Sequence, residues 1–565
     1  MKLSKLLLSF FVFALCFVGF FHPITSFSQD LGRHLLTGNI ILQTHAVPKV
    51  NLFTYTYPNF PFINTHWLSE VIFSEITKLV GLNILLLVTT LAALAAFALV
   101  FFFNFKKRNI FALAAVSFFY LPVLFERTEL RPEIFSFLLT SLFVVILYKN
   151  MQKPTRLIFL LPLLELVWVN MHIYFPLGIA LIFLFFINTF ISKHNVRSLL
   201  IVLVLSCCAT MINPSFINGA LYPFHVFQNY GYTVEENQNI VFLWQYFQTP
   251  SVSMIFFALS TLLLFIGLLL TRKQTKLVDW LLAIFFTGFA ALAIRNFPIF
   301  VFATFIPAAK SLSIVFEKIL HTKRRGQIML IGSFLFAVVF TWQIVKTLEI
   351  KGFGFGVTKG AERGADFYLA HNLKGPLFNN FDIGSYLEYR FYPKTKTFVD
   401  GRPEAFPARF FQNTYIPMQE DEKLFAKTDG QYHFNTIFFA HTDQTPWAEK
   451  FLKTIVQNKD WSIVYLDDTV VILAKGNDQN KNLIQKFKIT NDTYAVPNAN
   501  FQSLLEFAHF FNVVGWQKQE AETYQKILAV SPTFCPALHN LSVILSQNND
   551  PAAQIYISRL QTSCK

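Results

Sequence analysis

SQDLGRHLLTGNIILQTH, residues 28–45, and HWLSE, residues 66–70, are the stretches on which the reading of this chain turns. In the first, Leu31, Leu35 and Leu42 share one side of a helix, as expected of a segment lying along a membrane surface. The same helix sets Asp30 and His34 four residues apart on one face. A second surface helix is expected from about Asn64 through THWLSEVIFSEITKLV, with His66 and Glu70 at the same spacing. Two acid/histidine pairs therefore share one loop, residues 25–80. Between them HAVPKVNLFTYTYPNFPF, rich in proline and aromatics, reads as an extended segment packed at the membrane interface.

On either side of this loop the chain is too apolar for an ordinary soluble domain. Of its 565 residues 54% are hydrophobic and 17% aromatic, and the mean hydropathy is +0.44. Eleven apolar runs are candidate spans: 3–24, 82–104, 110–125, 133–148, 157–173, 175–191, 197–212, 252–270, 277–294, 297–316 and 328–347. Several fall short of the roughly 20 residues that cross a bilayer. The first is long for a signal peptide and no small-x-small cleavage site follows it, so an uncleaved anchor is the expectation.

Basic residues set the orientation, because cytoplasmic loops accumulate Lys and Arg. Lys2, Lys5, Lys106, Lys107, Arg108, Lys149, Lys153, Arg156, Lys193, Arg197, Arg272, Lys273, Lys276, Lys310, Lys318, Lys323, Arg324 and Arg325 make eighteen on one side. Arg33, Lys49, Lys78, Arg127, Arg131, Arg295 and Lys346 make seven on the other. The N-terminus is then cytoplasmic and everything after residue 350 extracytoplasmic, as expected of a multi-pass plasma-membrane protein. The net charge of +14 records this topology, and without a basic stripe interleaved with aromatics it does not point to nucleic acid. Of the five cysteines, Cys16, Cys207 and Cys208 lie in spans and Cys535 and Cys564 far down the tail, making neither a disulfide framework nor a metal spacing.

Other ionisable residues gather on the outward side. The run 110–125 leads straight into FERTELRPE, which places Glu126, Arg127, Glu129, Arg131 and Glu133 at the outer lipid boundary, where charges line wet, functional cavities. Pro132 starts the next helix, with Glu133 in its first turn. Asn170 and His172, Asn213, and Arg295 and Asn296 end later spans on the same side. Each acid/histidine pair could equally be a solvated helix face, and Arg131 and Arg295 could snorkel or pair with a neighbouring Glu. Read functionally, outward arginines hold a lipid phosphate, since a guanidinium matches phosphate oxygens with two parallel bonds.

Together, QDLGRHLLTGNIILQTHAVPKVNLFTYT, HWLSE, LRPEIFSFLL, WVNMH, INPSF and RNFPIF resemble a known group over residues 1–347. This group is the bacterial multi-span membrane proteins related to the GT-C glycosyltransferases, which use polyprenyl-phosphate sugars at the outer membrane face. The resemblance implies that an acid in the first outer loop is catalytic or metal-binding, and Asp30 is the matching position. Asp30 is followed by Leu31 and Gly32 rather than by the paired acid of many such enzymes, so the resemblance does not carry metal dependence with it. With Asp30 as base and His34 orienting it, Arg131 and Arg295 would hold the phosphate, and Glu70, His66, Glu133, Asn170 and His172 would line the substrate site. Alternatively Asp30, His34, His66 and Glu70 are ligands of a divalent metal.

The rest of the chain reads as tail domains. KGFGFGVTKGAERG is a Gly-rich flexible connector. Residues 351–476 form an α/β domain in which GADFYLAHNL is helical and LFNN, TFVDGR, NTIFFAH, WSIVYL and TVVILAK are strands, the last two a hairpin at Asp467 and Asp468. In the resembling group a similar segment carries a Gly-Ser-Tyr turn and a DGR triplet, matching Gly384 to Tyr386 and Asp400 to Arg402; the triplet is a strand-ending turn or an acceptor contact. A polar linker, 477–499, leads to four helical stretches in 500–565 whose Trp516, Ala521, Tyr524, Pro532, Ala537 and Leu541 resemble tetratricopeptide repeats. The expected fold is thus mainly α: a polytopic membrane helix bundle in residues 1–350 with an extracytoplasmic α/β domain and a C-terminal helical-repeat segment. The partners expected are a polyprenyl-phosphate sugar donor, a glycan, lipid or protein acceptor, membrane lipids, and a protein bound through the repeat-like tail. A non-catalytic scaffold for envelope glycan assembly and a lipid-linked glycan transporter are the alternatives, the latter lacking internal symmetry between halves.

Overall fold

The structure, a computed structural model, describes residues 2–25, 29–103, 105, 109–225, 229–319, 325–358 and 360–564. Ser28 at the start of the first surface helix, and Lys106, Lys107, Arg108, Lys323 and Arg324 in the basic count, lie outside them.

The membrane part is built from α1 (Lys2–Phe20), α2 (Leu31–Thr44), α3 (Trp67–Val80), α4 (Leu82–Phe101), α5 (Ile110–Leu124), α6 (Glu133–Gln152), α7 (Leu161–Met171) and α8 (Pro176–Ile191). It continues with α9 (Arg197–Ala209), α10 (Phe216–Leu221), α11 (Ile240–Phe247), α12 (Val252–Leu270), α13 (Leu277–Leu292), α14 (Phe297–Ile319) and α15 (Arg325–Lys351). Among the described residues five helices are long and apolar enough to cross a membrane: Leu82–Phe101, Glu133–Gln152, Val252–Leu270, Ile294–Lys318 and Gln327–Lys351. Shorter apolar helices are Ser4–Phe20, Ile110–Leu124, Pro176–Ile191, Arg197–Ala209 and Leu277–Leu292. The run 157–173 differs from expectation: it is a 3-10 turn, Arg156–Leu160, followed by the eleven-residue α7. Helices apolar all round must be covered by protein or lipid. Here α14 takes the centre, against α4, α5, α6, α12 and α13, while α15 lies at the rim beside α1. Arg127, Glu133, His172 and Arg295 sit at the ends of α5, α6, α7 and α13, all at one end of the bundle.

Helices α2 and α3 form a hairpin at that end, packed at Gly38, where an added Cβ would lie 2.1 Å from the Glu70 carbonyl oxygen and 2.7 Å from Ser74 Cβ. The extended segment after α2, whose aromatics suggested a place at the membrane interface, packs on protein. It runs onto the α/β domain, bridging Thr54 to Thr397, donating from Tyr55 Oη to the Leu377 carbonyl at 2.9 Å and from Thr56 Oγ1 to the Phe398 carbonyl at 2.8 Å, and adding Tyr55, Tyr57 and Phe62 to that domain's core. The aromatics thus bury against protein rather than lipid. The Gly-rich connector is likewise pinned: Ile24 N–H donates to Gly356 O at 2.9 Å and Thr358 N–H to Ile24 O at 2.9 Å. Gly352, Gly354 and Gly356 all have positive φ, so the glycines serve a bent path that side chains would strain.

In the α/β domain, β1 (Leu377–Asn379), β2 (Thr436–Ala440), β3 (Trp461–Leu466) and β4 (Val470–Lys475) form a sheet in the order β1-β2-β4-β3, parallel at β1/β2 and antiparallel elsewhere. TFVDGR forms no strand beyond the single bridge at Thr397. The Gly-Ser-Tyr positions lie inside a helix, α17 (Phe381–Phe391), which follows α16 (Glu362–Ala370), rather than in a turn. Gly384 is required there because an added Cβ would meet Val399 O at 2.2 Å. Residues Lys481–Phe487 form a further helix against β3. Four helices, Phe501–Val514, Gln517–Val530, Cys535–Gln547 and Ala553–Ser563, then stack in sequence. Contrary to the reading of the cysteines, Cys535 and Cys564 are disulfide-bonded, because the last two helices pack as a pair that brings their distant ends together.

Candidate functional site

Asp30 precedes the first residue of α2, and its side chain accepts no capping bond from the helix; its Oδ1 lies 3.3 Å from Arg131 Nε. Burial alone would raise the Asp30 carboxyl, but Arg131, His34 and Arg33 outweigh it and hold the group below the usual carboxylate range. Arg131 also donates to Gln29 at 2.6 Å and to Glu236 at 3.0 Å. Glu236, on the turn Glu235–Asn237 between α10 and α11, is the focus of three arginines: Arg127 donates to it, Arg131 follows, and Arg295 lies 3.6 Å away. Their field holds Glu236 well below its ordinary range despite burial. Arg127 in addition grips Glu133 with two bonds, Nε to Oε1 at 2.7 Å and Nη2 to Oε2 at 3.1 Å. Arg295 is steadied by Asn237 at 2.8 Å and stands over the Tyr174 ring. Asp30 Oδ1 and Arg131 Nε face each other as a buried ion pair without hydrogen-bond geometry, and Arg295 Nε is buried with no hydrogen-bond partner among the described residues.

Beside this cluster the two expected acid/histidine pairs are replaced by one. His34 Nδ1 lies 2.8 Å from Glu70 Oε1, across the α2/α3 hairpin, instead of Asp30 with His34 and His66 with Glu70. Asn64 fills the other Glu70 oxygen at 2.6 Å and Arg33 stands 3.7 Å off. Burial, with His34 and Arg33 nearby, pushes His66 down to about 3, so it is neutral at physiological pH. Ring contacts continue from His34 to His66 at 5.7 Å, to His172 at 5.1 Å and to Tyr174 at 4.6 Å. Tyr174 Oη donates to Asn296 Oδ1 at 2.8 Å, next to Arg295. His172 is set by Ser136 at 3.0 Å, itself accepting from Trp168 at 2.8 Å.

No protein-family model matches this sequence, and no curated protein is similar to it. Solved structures match most of it. Archaeal oligosaccharyltransferase AglB from Archaeoglobus fulgidus, in complex with an inhibitory peptide and a dolichol-phosphate, aligns with a TM-score of 0.57 and 9% identity over 94% of this chain and 86% of its own. The apo form of the Archaeoglobus fulgidus oligosaccharyltransferase aligns at 0.55 and 10% identity, covering 80% of this chain and 71% of that one. ArnT from Cupriavidus metallidurans aligns at 0.50 and 11% identity over 81% of this chain and 95% of that one. The chain has the GT-C fold.

Within this GT-C fold the residues singled out from sequence fall into three groups. Asp30, Arg131, Arg295 and Glu133 belong to one charged cluster, and His34, Glu70, His66 and His172 to the adjoining hairpin-and-ring arrangement. Asn170 is structural: its side chain accepts from Trp67 Nε1 at 2.8 Å and donates to the carbonyls of Leu166 and Ile212, tying α3 to α7 and α9. The four-ligand metal set is not assembled, since Asp30 turns to Arg131 and both Glu70 oxygens are taken. Among the described residues no group of three His, Cys, Asp or Glu could hold an ion. Glu236, Arg127 and Arg33 are the residues missed as site members. The signal for Glu236 was the EEN triplet at 235–237, acids in a loop at the same end of the bundle as the arginines that needed a counter-charge. Asp400 and Arg402 instead close a buried pair at 2.6 Å that also reaches Asn51 at 3.0 Å, locking the first outer loop to the α/β domain.

Proposed function

We propose that this chain is a membrane glycosyltransferase that moves a sugar from a polyprenyl-phosphate donor to an acceptor at the outer face of the membrane. The observation that carries this reading is the meeting of three arginines, Arg127, Arg131 and Arg295, beside Asp30 at one end of a GT-C bundle, with Arg131 facing Asp30 at 3.3 Å and Arg295 Nε buried without a hydrogen bond. Such donors suit phosphate oxygens. In the reaction, Asp30, ionised at physiological pH, takes the proton of an acceptor hydroxyl as its oxygen attacks the anomeric carbon. The bond from that carbon to the phosphate oxygen breaks, and the arginines stabilise the departing polyprenyl phosphate. His34, fixed by Glu70 at 2.8 Å, is a positioning residue one helical turn from Asp30. One structural neighbour, described in complex with an inhibitory peptide and a dolichol-phosphate, supports a lipid carrier and an acceptor.

The Cys535–Cys564 disulfide supports an extracytoplasmic tail, because such bonds persist in oxidising compartments. With the basic residues at the opposite end of the bundle, it supports a cytoplasmic N-terminus. The four stacked terminal helices offer a repeat-like surface for a partner protein.

The test is release of free polyprenyl phosphate by purified protein from a panel of polyprenyl-phosphate sugars, with membrane extract as acceptor. Wild type releases it, and Asp30→Asn slows release at least ~100-fold, the usual scale of a general base, while eluting and folding like wild type. Equal rates in the two proteins would remove Asp30 from the mechanism. No release with any donor would favour the scaffold.

A further inference from the structure

Two carboxylates share the arginine cluster, and their settings differ. Glu133 is 3% exposed, in the first turn of a long helix, and grips one arginine with both oxygens. Glu236 is 27% exposed, on a three-residue turn, and draws all three guanidinium groups to one side chain. Apart from Glu236 itself, the turn is tied to this end of the bundle by Arg295 to Asn237 and by Ile294 N–H to Gln238 O at 3.3 Å. Glu236 thus stands where the proposed function puts the phosphate.

We propose that Glu236 is a resident anion in the phosphate position: it leaves when the donor binds and returns to displace polyprenyl phosphate after transfer. This inference rests on the glycosyltransferase reading. A carboxylate and a phosphodiester each carry one negative charge and present paired oxygens to guanidinium edges, so exchange at donor binding conserves the charge of the cluster. After transfer the leaving group is a phosphomonoester whose charge approaches −2 at neutral pH, which three arginines hold more firmly than the donor. A carboxylate tethered beside the same guanidinium groups competes at high effective concentration. It lowers the apparent affinity for any phosphate by the fraction of time that it occupies the site, and its cost falls equally on donor and product. The gain is in turnover, where tight product retention would otherwise limit the rate. The balanced set of Arg127, Arg131 and Arg295 against Glu236, Glu133 and Asp30 also explains how three guanidinium groups stay together without a ligand.

The experiment is equilibrium binding of farnesyl phosphate and of inorganic phosphate to the detergent-solubilised full chain, comparing wild type with Glu236→Gln, Glu236→Ala and, as a control at the neighbouring position, Glu235→Gln. Both Glu236 variants are expected to bind farnesyl phosphate about tenfold more tightly, with Glu235→Gln unchanged. Inorganic phosphate should follow the same order if the headgroup alone is read. Weaker or equal binding in the Glu236 variants, from protein that elutes as wild type, would overturn the inference and make Glu236 a scaffold for the arginines, leaving the phosphate site standing. If no folded protein bound either probe, the phosphate site itself would fail, and the inference with it. Alanine guards against a glutamine that merely re-forms the hydrogen bonds.

Discussion

Arg127→Met tests the electrostatic architecture most directly. The side chain is buried, holds Glu133 at 2.7 and 3.1 Å, and contributes one of three contacts to Glu236. Methionine keeps the volume and removes five donors. Glu133, 3% exposed, is then left with a carboxylate facing no cation at hydrogen-bond distance. Breaking one side of a buried pair costs about 3–5 kcal/mol, most of it the uncompensated charge. Glu236 keeps Arg131 and Arg295, so its share is smaller. The double variant Arg127→Met/Glu133→Leu removes both buried charges and should recover to within about 1–2 kcal/mol of wild type, giving a coupling energy above about 2 kcal/mol. The assay is urea unfolding of the detergent-solubilised protein followed by tryptophan fluorescence, since Trp168 reaches the same region through Ser136 and His172. Arg131→Met is the internal comparison. Its carboxylate partners Asp30 and Glu236 are each 27% exposed, so it should cost only about 1 kcal/mol. An Arg127→Met cost below 1 kcal/mol, or a double variant no more stable than the single, would refute the assignment of Glu133 as a buried structural counter-ion.

Three further outcomes are expected. Gly38→Ala drives a Cβ into the Glu70 carbonyl and Ser74; the α2/α3 hairpin must open, and the transfer rate should fall at least ~10-fold, because small displacements of positioning groups are costly, with a stability loss of about 2 kcal/mol measured by thermal unfolding. His66 is held at about 3 in the folded chain and titrates near 6.5 when unfolded, so the unfolded state takes up the proton first. Its contribution is present above pH 6.5 and declines toward pH 3 by at most about 1.4 kcal/mol per pH unit; His66→Gln should flatten that part of a stability profile measured from pH 8 to 5. Reducing Cys535–Cys564, 29 residues apart, should destabilise the terminal helices by about 3.5 kcal/mol from loop-closure entropy, seen as faster amide exchange in 535–564 with exchange of the membrane helices unchanged.

Local spacing carried much of this protein. Long apolar runs located the bundle; the leucines of α2 and the HWLSE segment located the two helices of the hairpin; β-branched and aromatic runs meeting at Asp467 and Asp468 marked β3 and β4. Asp30, Arg131 and Arg295 were legible as a set because all three flank apolar runs at what the structure shows to be one end of the bundle. What spacing misassigned were partners. A four-residue interval places Asp30 above His34, but the close approach permitted by Gly38 offers His34 the buried Glu70 of the next helix, and the desolvated carboxylate takes the nearer donor. The DGR triplet read as a turn because glycine follows an acid there, whereas Asp400 and Arg402 close a buried pair with Asn51, some 350 residues away in sequence.

The sequence by itself determined that this chain lives in a membrane, with its chemistry gathered at one face, because burial of apolar surface and the placement of charge are properties of each segment on its own. Tertiary structure alone decided which anion answers which cation. Glu236, on a loop between distant helices, becomes the centre of the arginines only when α5, α6 and α13 end side by side, since a charge's energy depends on what lies within a few ångströms of it in space and not on its neighbours along the chain.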